Sequence, residues 1–422
     1  MQAIHPVDGI KDHYTASTWL LDQMRTLSAF FSRGQFYLWE DTHYSVYKHS
    51  DLQLLIINIL KEKASPTSIK MVIDRLEIEL AADSDIDSDL LAFRNGVLHI
   101  NGQFSLDAIM AKEARITSVM PYDYDQLDNC DHWLKFLEEV FAGDDDIDQK
   151  KTFLQEYFGY VISRATNYHK ALVLYGDGGN GKSVILDVLA ALVPNVSRLE
   201  WSEFGEQRGL ERIAESWLNV SSEINYKETS ATTGIKKAIA QEVMTGNPKY
   251  KKPFDFTCKA KLCFATNGLP MVDDSSNGVF RRLIVLTLNN SFIGKEDWAL
   301  TGKLLDEIPG VFNWALRGLK RLKEQNKFTD VPSNITELQE YRRSINSLQS
   351  YYDEQLCMLK GEEMTFDQYY NAYHLFCSDS GNRPYARNKI RSLIKQLGLR
   401  LKVYTTSRNV RMIVATDDVN YC

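Results

Sequence analysis

The stretch that most constrains this chain is Ala171-Leu-Val-Leu-Tyr175, followed by Gly176-Asp-Gly-Gly-Asn-Gly-Lys182-Ser183 and an apolar-periodic run from Val184 to Leu192. A short apolar segment of strand type feeds a glycine-rich turn and then a segment of helix length, the context that a GxxxxGKS phosphate loop requires. The glycines let the backbone wrap so that successive N–H groups point inward, and the helix that starts near Lys182 adds its positive end. The expected cradle is Gly176, Asp177, Gly178, Gly179, Asn180, Gly181, Lys182 and Ser183. Lys182 is placed to meet the β- and γ-phosphates of ATP, and the Ser183 hydroxyl to meet Mg²⁺. The competing reading is a glycine-rich strand-to-helix turn that holds no ligand.

Composition enters as a frame for that loop. A chain of 422 residues with 44% hydrophobic content has room for about two to four domains with real cores. The six cysteines form no CxxC pair and no cluster with histidines, which fits a reduced compartment and small buried thiols. The opening residues lack a basic-then-apolar layout, and no apolar run approaches the roughly 18 residues of a membrane span. A soluble protein in the cytoplasm, with no membrane partner, is the expectation. The net charge of −7 argues against a surface that coats nucleic acid throughout, yet leaves room for a local basic channel.

Upstream of the loop, residues 1 to about 80 mix aromatic strand-like pieces (34–40 and 44–47) with helix-periodic ones (18–30, 52–63 and 68–80), the pattern of a small α+β region. The acidic run Asp83 to Asp89 fails as a calcium loop, because Ser88 and Arg94 stand where Gly and Glu are needed. It reads as a solvated acidic loop. Strand-like residues 90–100 and 103–106 flank Asn101-Gly102, a hairpin signal. From Cys130 to Val161 the period turns helical, with Asp144 to Asp146 expected to cap.

Downstream, Trp217-Leu-Asn-Val-Ser-Ser-Glu223 supplies an acid at the end of an apolar run, which suits the parallel strand next to the loop strand. Glu223 is the candidate for Mg²⁺ and for the attacking water, with Ser222 as an aid, against the plainer reading of a surface acid at a strand end. Another apolar run ends in Thr266-Asn267, and an amide there suits a water or a γ-phosphate; Asn267-Gly268 is equally a good turn. Arg281 and Arg282 lead a further apolar run. A guanidinium so placed needs a partner, and the γ-phosphate of a neighbouring copy is one; strand alternation turns the two apart, with Arg282 favoured as the finger. Between these runs, Lys249, Lys251 and Lys252 interleave with aromatics around Pro and Gly, as in a loop or hairpin that tracks a phosphate backbone, although a charge run is commonly a solvated face.

In the last region, residues 365–377 and 385–397 read as helices joined by a turn, and two strand-like pieces, 399–405 and 409–415, follow. Residues 380 to 416 hold nine basic residues' worth of local charge without an acid, Arg387, Lys389, Arg391 and Arg408 among them. This is the pattern of a helix-turn-helix with a wing, and favours duplex DNA over a protein-docking role.

The order of GxxxxGKS, the strand ending in Glu223, the basic hairpin, the strand ending in Asn267 and Phe280-Arg-Arg282 resembles the superfamily 3 helicases of phage, plasmid and poxvirus primase-helicases. Phe93-Arg-Asn-Gly-Val-Leu98, Pro121-Tyr-Asp-Tyr124, Leu154-Gln-Glu-Tyr-Phe-Gly-Tyr160 and Glu307-Ile-Pro-Gly-Val-Phe312 extend the similarity. The resemblance implies an α/β fold with a P-loop AAA+-like motor, a homohexameric ring, ATP hydrolysis at subunit interfaces and 3′-to-5′ movement on single-stranded and forked DNA. It implies that Lys182 and Ser183 bind phosphate and Mg²⁺, that Glu223 is the acid and Asn267 the sensor. Arg281 or Arg282 would act in trans, and Lys249, Lys251 and Lys252 on DNA. The expected division is an α+β N-terminal region (1–89), a helical domain preceding the motor (90–165), the motor (166–335), and a linker helix with a winged helix (336–422). No stretch resembles a primase, so a separate primase or polymerase is the expected partner, in a mobile element's bacterial host cytoplasm. The alternative is an ATP-switched initiator that binds and melts origin DNA without processive unwinding.

Overall fold

The computed structural model describes residues 10, 12–85, 89–163, 167–222, 224, 231–249, 253–269, 278–356, 363–379, 384–397, 401–406 and 411–415. The chain opens with α1 (His13–Thr26), begun by a capping box in which the Asp12 carboxylate accepts the Thr15 N–H at 2.8 Å. Periodicity carried this helix on to Phe30, but the backbone leaves it at Leu27, and Ser28 takes a φ of 56°. Phe30 therefore lies on β1 (Phe30–Ser32), which pairs with β2 (Gln35–Glu40) and through it with β3 (His43–Tyr47) in an antiparallel sheet. Two helices follow, α2 (His49–Leu60) and α3 (Pro66–Glu79), and bury Leu52, Ile56, Val72 and Leu76 against Leu20, Met24 and Phe36.

The acidic run is not wholly solvated. The Asp85 carboxylate, 1% exposed, accepts the N–H and hydroxyl of Thr117 at 2.9 and 2.8 Å and faces Arg33 at 3.4 Å. These donors replace water and make burial of the charge tolerable. Residues 86–88 lie outside the described residues.

The segment expected to be helical begins as an antiparallel sheet of β4 (Leu90–Phe93), β5 (Gly96–His99) and β6 (Phe104–Ser105), with the short helix α4 (Ile109–Glu113) after it. The run 90–100 is two strands, since Phe93 pairs with Gly96 around Arg94-Asn95. The Asn95 amide fixes that turn by exchanging hydrogen bonds of 2.9 Å with the backbone of Tyr124. Two helices complete the segment: α5 (Asp131–Val140), which buries Trp133, Phe136, Leu137 and Val140, and α6 (Ile147–Ile162). Asp146 stands at the start of α6 but makes no side-chain cap there. It accepts the Ser333 N–H at 2.8 Å instead, and with Asp144 (2.7 Å) it flanks the buried Lys150 ammonium.

At the centre, β7 (Ala171–Tyr175), α7 (Lys182–Ala191), β8 (Val196–Ser197), β9 (Leu218–Ser221), α8 (Thr232–Ala240), β10 (Val243–Gly246), β11 (Phe254–Thr257), β12 (Lys261–Thr266) and β13 (Leu283–Thr287) succeed one another. Five of the strands form a parallel sheet in the order β13-β7-β12-β9-β8. The fold is thus mixed α/β around a five-stranded parallel sheet, and its strands are largely apolar and almost wholly buried because both faces are covered. One expectation fails: β9 is not the neighbour of β7, because β12 inserts between them. A sequence run states only that a strand exists, and strand order is set by the crossovers.

After the sheet, α9 (Leu300–Asp306) leads into α10 (Ile308–Gln325), which lies along α6 at backbone contact. A Cβ at Gly159 would come 2.4 Å from the Leu319 nitrogen, and one at Gly318 would come 2.2 Å from the Gln155 carbonyl oxygen. Next, α11 (Pro332–Ile345) runs across the expected boundary at 336, and its Tyr341 packs on Phe280 at 5.3 Å between ring centroids. The C-terminal part comprises α12 (Ser347–Tyr351), β14 (Glu363–Thr365), α13 (Phe366–Asp379), α14 (Ile390–Leu397), β15 (Leu401–Thr405) and β16 (Arg411–Ala415), with an antiparallel sheet ordered β14-β16-β15. The helix expected from 385 starts at Ile390. Tyr385 is held out of it by two tyrosine hydroxyls of α13: its N–H donates to Tyr373 at 3.0 Å and its carbonyl accepts from Tyr370 at 3.1 Å. Among the described residues no helix is long and apolar enough to cross a membrane.

Candidate functional site

The loop 176–181 leaves the carboxyl end of β7 near the middle of the sheet and runs into α7, the place where open parallel sheets bind ligands. Local backbone demands explain Gly176, Gly179 and Gly181. Gly179 and Gly181 take φ of 72° and 84°, which L side chains adopt only under strain. Gly176 is needed for space, since a Cβ there would meet the Leu288 carbonyl oxygen at 2.4 Å. The Gly181 Cα faces Phe136 and Val140 of α5, so the loop is backed by the helical segment that precedes it.

Lys182 is 8% exposed, and its ammonium donates to the carbonyls of Gly176 and Asp177, each at 2.6 Å, and to Asn180 Oδ1 at 3.2 Å. Burial holds this lysine below its ordinary range, and the Asp177 carboxylate pulls the other way. Ser183 is exposed on the first turn of α7, while Asn180 is 3% exposed. Asp177, Gly178 and Gly179 face solvent.

Strand register places Asn267 beside this loop. Thr266 of β12 pairs with Tyr175 of β7, and the Gly176 N–H donates to the Thr266 carbonyl at 3.3 Å. Asn267 is exposed there, and its side chain makes no hydrogen bond among the described residues. Strand β9 approaches the same end with Ser221 opposite Phe264. Glu223 lies outside the described residues, as do Lys251, Lys252 and Arg408.

The arginine pair is at the other end of the sheet. Leu283 pairs with Ala171 and Thr287 with Tyr175, so Arg281 and Arg282 precede the amino end of β13. The length of β13, five residues, separates them from the level of the loop, about 16 Å at the usual rise per residue. Both sit in the turn before the strand, where alternation does not apply. Arg282 donates to the Gly278 carbonyl at 2.6 Å; Arg281 is exposed and its guanidinium makes no hydrogen bond or ion pair among the described residues.

Lys249 is exposed in the connection between β10 and β11, which form a short antiparallel hairpin of four residues per strand. At the foot of that hairpin a cavity of about 830 Å³ opens against the N-terminal region, between Arg33, Tyr37, Glu215, Trp217, Phe254 and Lys261. Its charged groups have internal partners: Arg33 with Glu215 at 2.6 Å and Lys261 with the Ser163 carbonyl at 2.8 Å. Burial, with Glu215 nearby, pushes the Tyr37 phenol up to about 12. In the C-terminal part, Lys389 and Arg391 are exposed beside and on α14, whereas Arg387 is paired with Asp367 and lies over Phe366 at 5.4 Å. Among the described residues no group of three or more His, Cys, Asp or Glu side chains is placed to hold a metal ion.

Asn290 escaped the sequence reading. It lies three residues beyond β13, and its carbonyl accepts from the Asn180 amide at 2.9 Å. The signal was the Asn289-Asn290 pair after an apolar strand.

Fold and loop together describe an α/β protein with a glycine-rich strand-to-helix loop at the carboxyl end of an inner strand of a parallel sheet. Comparisons narrow the surroundings. A family described as D5 N terminal like matches residues 7–142, across the boundary expected at 89, and a family of unknown function (DUF5906) matches residues 174–282. An Acanthamoeba polyphaga mimivirus protein named "Putative helicase L207/L206" is 24% identical over 233 residues, 50% of this chain and 22% of that protein. This chain therefore matches well under half the length of that relative. The A form apo structure of the NrS-1 C terminal region superposes with a TM-score of 0.51 at 13% identity, covering 94% of this chain and 98% of that one. A second structure of that region (305–718) gives a TM-score of 0.50 at 12% identity over 96% and 100% of the chains. These two show a shared fold. None of the similarities singles out superfamily 3.

Proposed function

We propose that this chain is an ATP-driven helicase motor that acts on DNA during replication, with ATP held at residues 176–183. The observation that carries the reading is the placement of a buried Lys182 behind a glycine loop at the carboxyl end of β7, an inner strand of the sheet, with Ser183 and Asn267 exposed at its rim. The cradle fits a triphosphate: two left-handed glycines, a third that tolerates no Cβ, and a lysine that among the described residues donates to neutral acceptors. The loop N–H groups and Lys182 would hold the phosphates, and Ser183 with Glu223 the Mg²⁺, which when bound neutralises charge on the phosphates. Lys182 exchanges the two loop carbonyls for phosphate oxygens, a charge-assisted contact stronger than those it leaves. Asn267 orients the attacking water through its amide, and Glu223 accepts the proton.

Arg281 and Arg282 cannot serve the loop of their own chain, a strand's length away. In the proposed ring one of them reaches the loop of the next copy, and Arg281, the exposed one, is the better candidate. In chain order the hairpin of β10 and β11, with Lys249, lies between the strand that leads to Glu223 and the strand that leads to Asn267, so hydrolysis can shift it along a single strand through phosphate contacts. The viral relative named as a helicase supports this reading. The test is Lys182→Ala in the full chain: ATP turnover and unwinding of a forked duplex should both vanish, and wild-type unwinding by that variant sinks the motor reading.

A second reading, the ATP-switched initiator, is favoured by one observation: α14 buries Ile390, Leu393 and Ile394 and exposes Arg391 and Lys395, a basic face fit for duplex phosphates. Turnover stimulated many-fold by non-specific single strands supports the motor, and turnover stimulated only by one duplex site supports the initiator.

A further inference from the structure

We propose that Asn290 is a positioning residue for the phosphate loop, linking Lys182 to the C-terminal end of α5. The proposal rests on the reading of residues 176–183 as an ATP site.

The Asn290 side-chain amide lies within hydrogen-bond distance of three carbonyl oxygens, those of Glu139 at 3.1 Å, Val140 at 3.1 Å and Ala142 at 2.8 Å. They belong to the end of α5 and the residues after it, where backbone acceptors lack helical partners and the helix dipole is negative. A donor suits that place and an anion does not. The backbone carbonyl of the same residue accepts the Asn180 Nδ2–H at 2.9 Å, and Asn180 Oδ1 accepts from the Lys182 ammonium at 3.2 Å. One residue thus joins the end of a helix to the lysine that meets phosphate.

Amide chemistry gives the link its direction. With Nδ2 committed to the Asn290 carbonyl, Asn180 must present its oxygen to Lys182. Without that fixed acceptor the amide is free to turn and to present N–H groups to an ammonium, which repel it. The wall around the link is firm: the Phe292 N–H donates to the Gly179 carbonyl at 2.8 Å, and Gly181 packs against Phe136 and Val140. The far end of α5 is held by Glu307, which accepts the N–H groups of His132 and Trp133 at 3.1 and 3.0 Å. Both ends of α5 are therefore fastened by the segment 290–307, with the loop between.

The test compares Asn290→Asp with Asn290→Ala in the full chain, by equilibrium binding of a non-hydrolysable ATP analogue and by steady-state turnover. The aspartate variant keeps the shape and exchanges a donor for an anion, so it should weaken the analogue by about tenfold or more, beyond the alanine variant, in line with the cost of an unmatched charged group. KM should rise more than kcat falls. The ratio of aspartate to alanine affinities should recover below about pH 5, where the introduced carboxyl protonates and donates again; taking the ratio cancels the titration of Glu139, Asp144 and the nucleotide. Should Asn290→Asp fail to fold, Asn180→Ala and Asn290→Ala are combined, and a double effect smaller than the sum supports the link. Aspartate-variant binding within twofold of wild type, a ratio flat with pH, or strict additivity overturns it. Lys182→Ala separates the premises: if that variant binds the analogue normally, the ATP-site reading has failed, whereas a dead Lys182→Ala beside a normal Asn290→Asp sinks the positioning role alone.

Discussion

Glu307 shows how one side chain can hold a distant helix. Its carboxylate accepts two backbone N–H groups at the start of α5 and sits 2.6 Å from His132 Nδ1. Burial works to raise its pKa, but the hydrogen bonds from His132 and from the helix N–H groups outweigh it and leave the group below the usual glutamate range. A depressed carboxylate adds stability that is complete above its unfolded value, about 4.3, and that disappears as pH falls through the native value. Glu307→Gln should therefore be less stable than wild type at pH 7. That gap should close on acidification below about pH 4, as chemical denaturation across pH will measure. At this scale the sequence was informative where backbone geometry forces residue identity, as at Gly179, Gly181 and Lys182. It was silent on Asn290 and Glu307, because a partner more than a hundred residues away leaves no local pattern.

Among the elements, α6 and α10 meet at two glycines, one on each helix. Gly159 faces Ala315 and Leu319, and Gly318 faces Gln155, in each case with backbone atoms nearest. No rotamer change can make room for a methyl group there. Gly159→Ala and Gly318→Ala should each destabilise the fold by about 1–3 kcal/mol, the usual range for overpacking, measured by denaturant midpoint; the helix-propensity gain of alanine, about 1 kcal/mol, offsets only part. A neutral or stabilising effect would mean the two helices do not meet as described. Strand periods were read correctly for β7, β12 and β13, whose apolar runs are short and bounded. The order of the sheet was not readable. The break at Arg94-Asn95 was, because Asn95-Gly96 is the same turn signal as Asn101-Gly102, but the apolar residues on both sides of it made 90–100 read as one strand. The third C-terminal strand, Glu363–Thr365, is too short to carry any period.

For the whole molecule, the separation of Arg281 and Arg282 from the loop of their own chain sets the expected behaviour of mixtures. Lys182→Ala and a double Arg281→Ala, Arg282→Ala chain should each lack turnover alone, and mixing them should restore part of it, because some interfaces then join an intact loop to an intact arginine. Mixtures with no recovered turnover, or full turnover by the arginine variant alone, would remove the trans arrangement. In the proposed ring the hairpin belongs to the same assembly, and Lys249→Ala should lower stimulation by single strands while leaving turnover without DNA within about twofold, a single phosphate contact being a modest part of such binding.

Arg33 gives the N-terminal region a different kind of tie. From the turn between β1 and β2 it reaches Glu215, whose side chain is 57% exposed, beside the cavity under the hairpin. A bond of this type weakens with ionic strength, since the Debye length shrinks from about 10 Å at 0.1 M to about 3 Å at 1 M. Concentrated salt should therefore loosen the turn between β1 and β2 from the foot of the hairpin, under the same conditions that would weaken the phosphate contact proposed for Lys249.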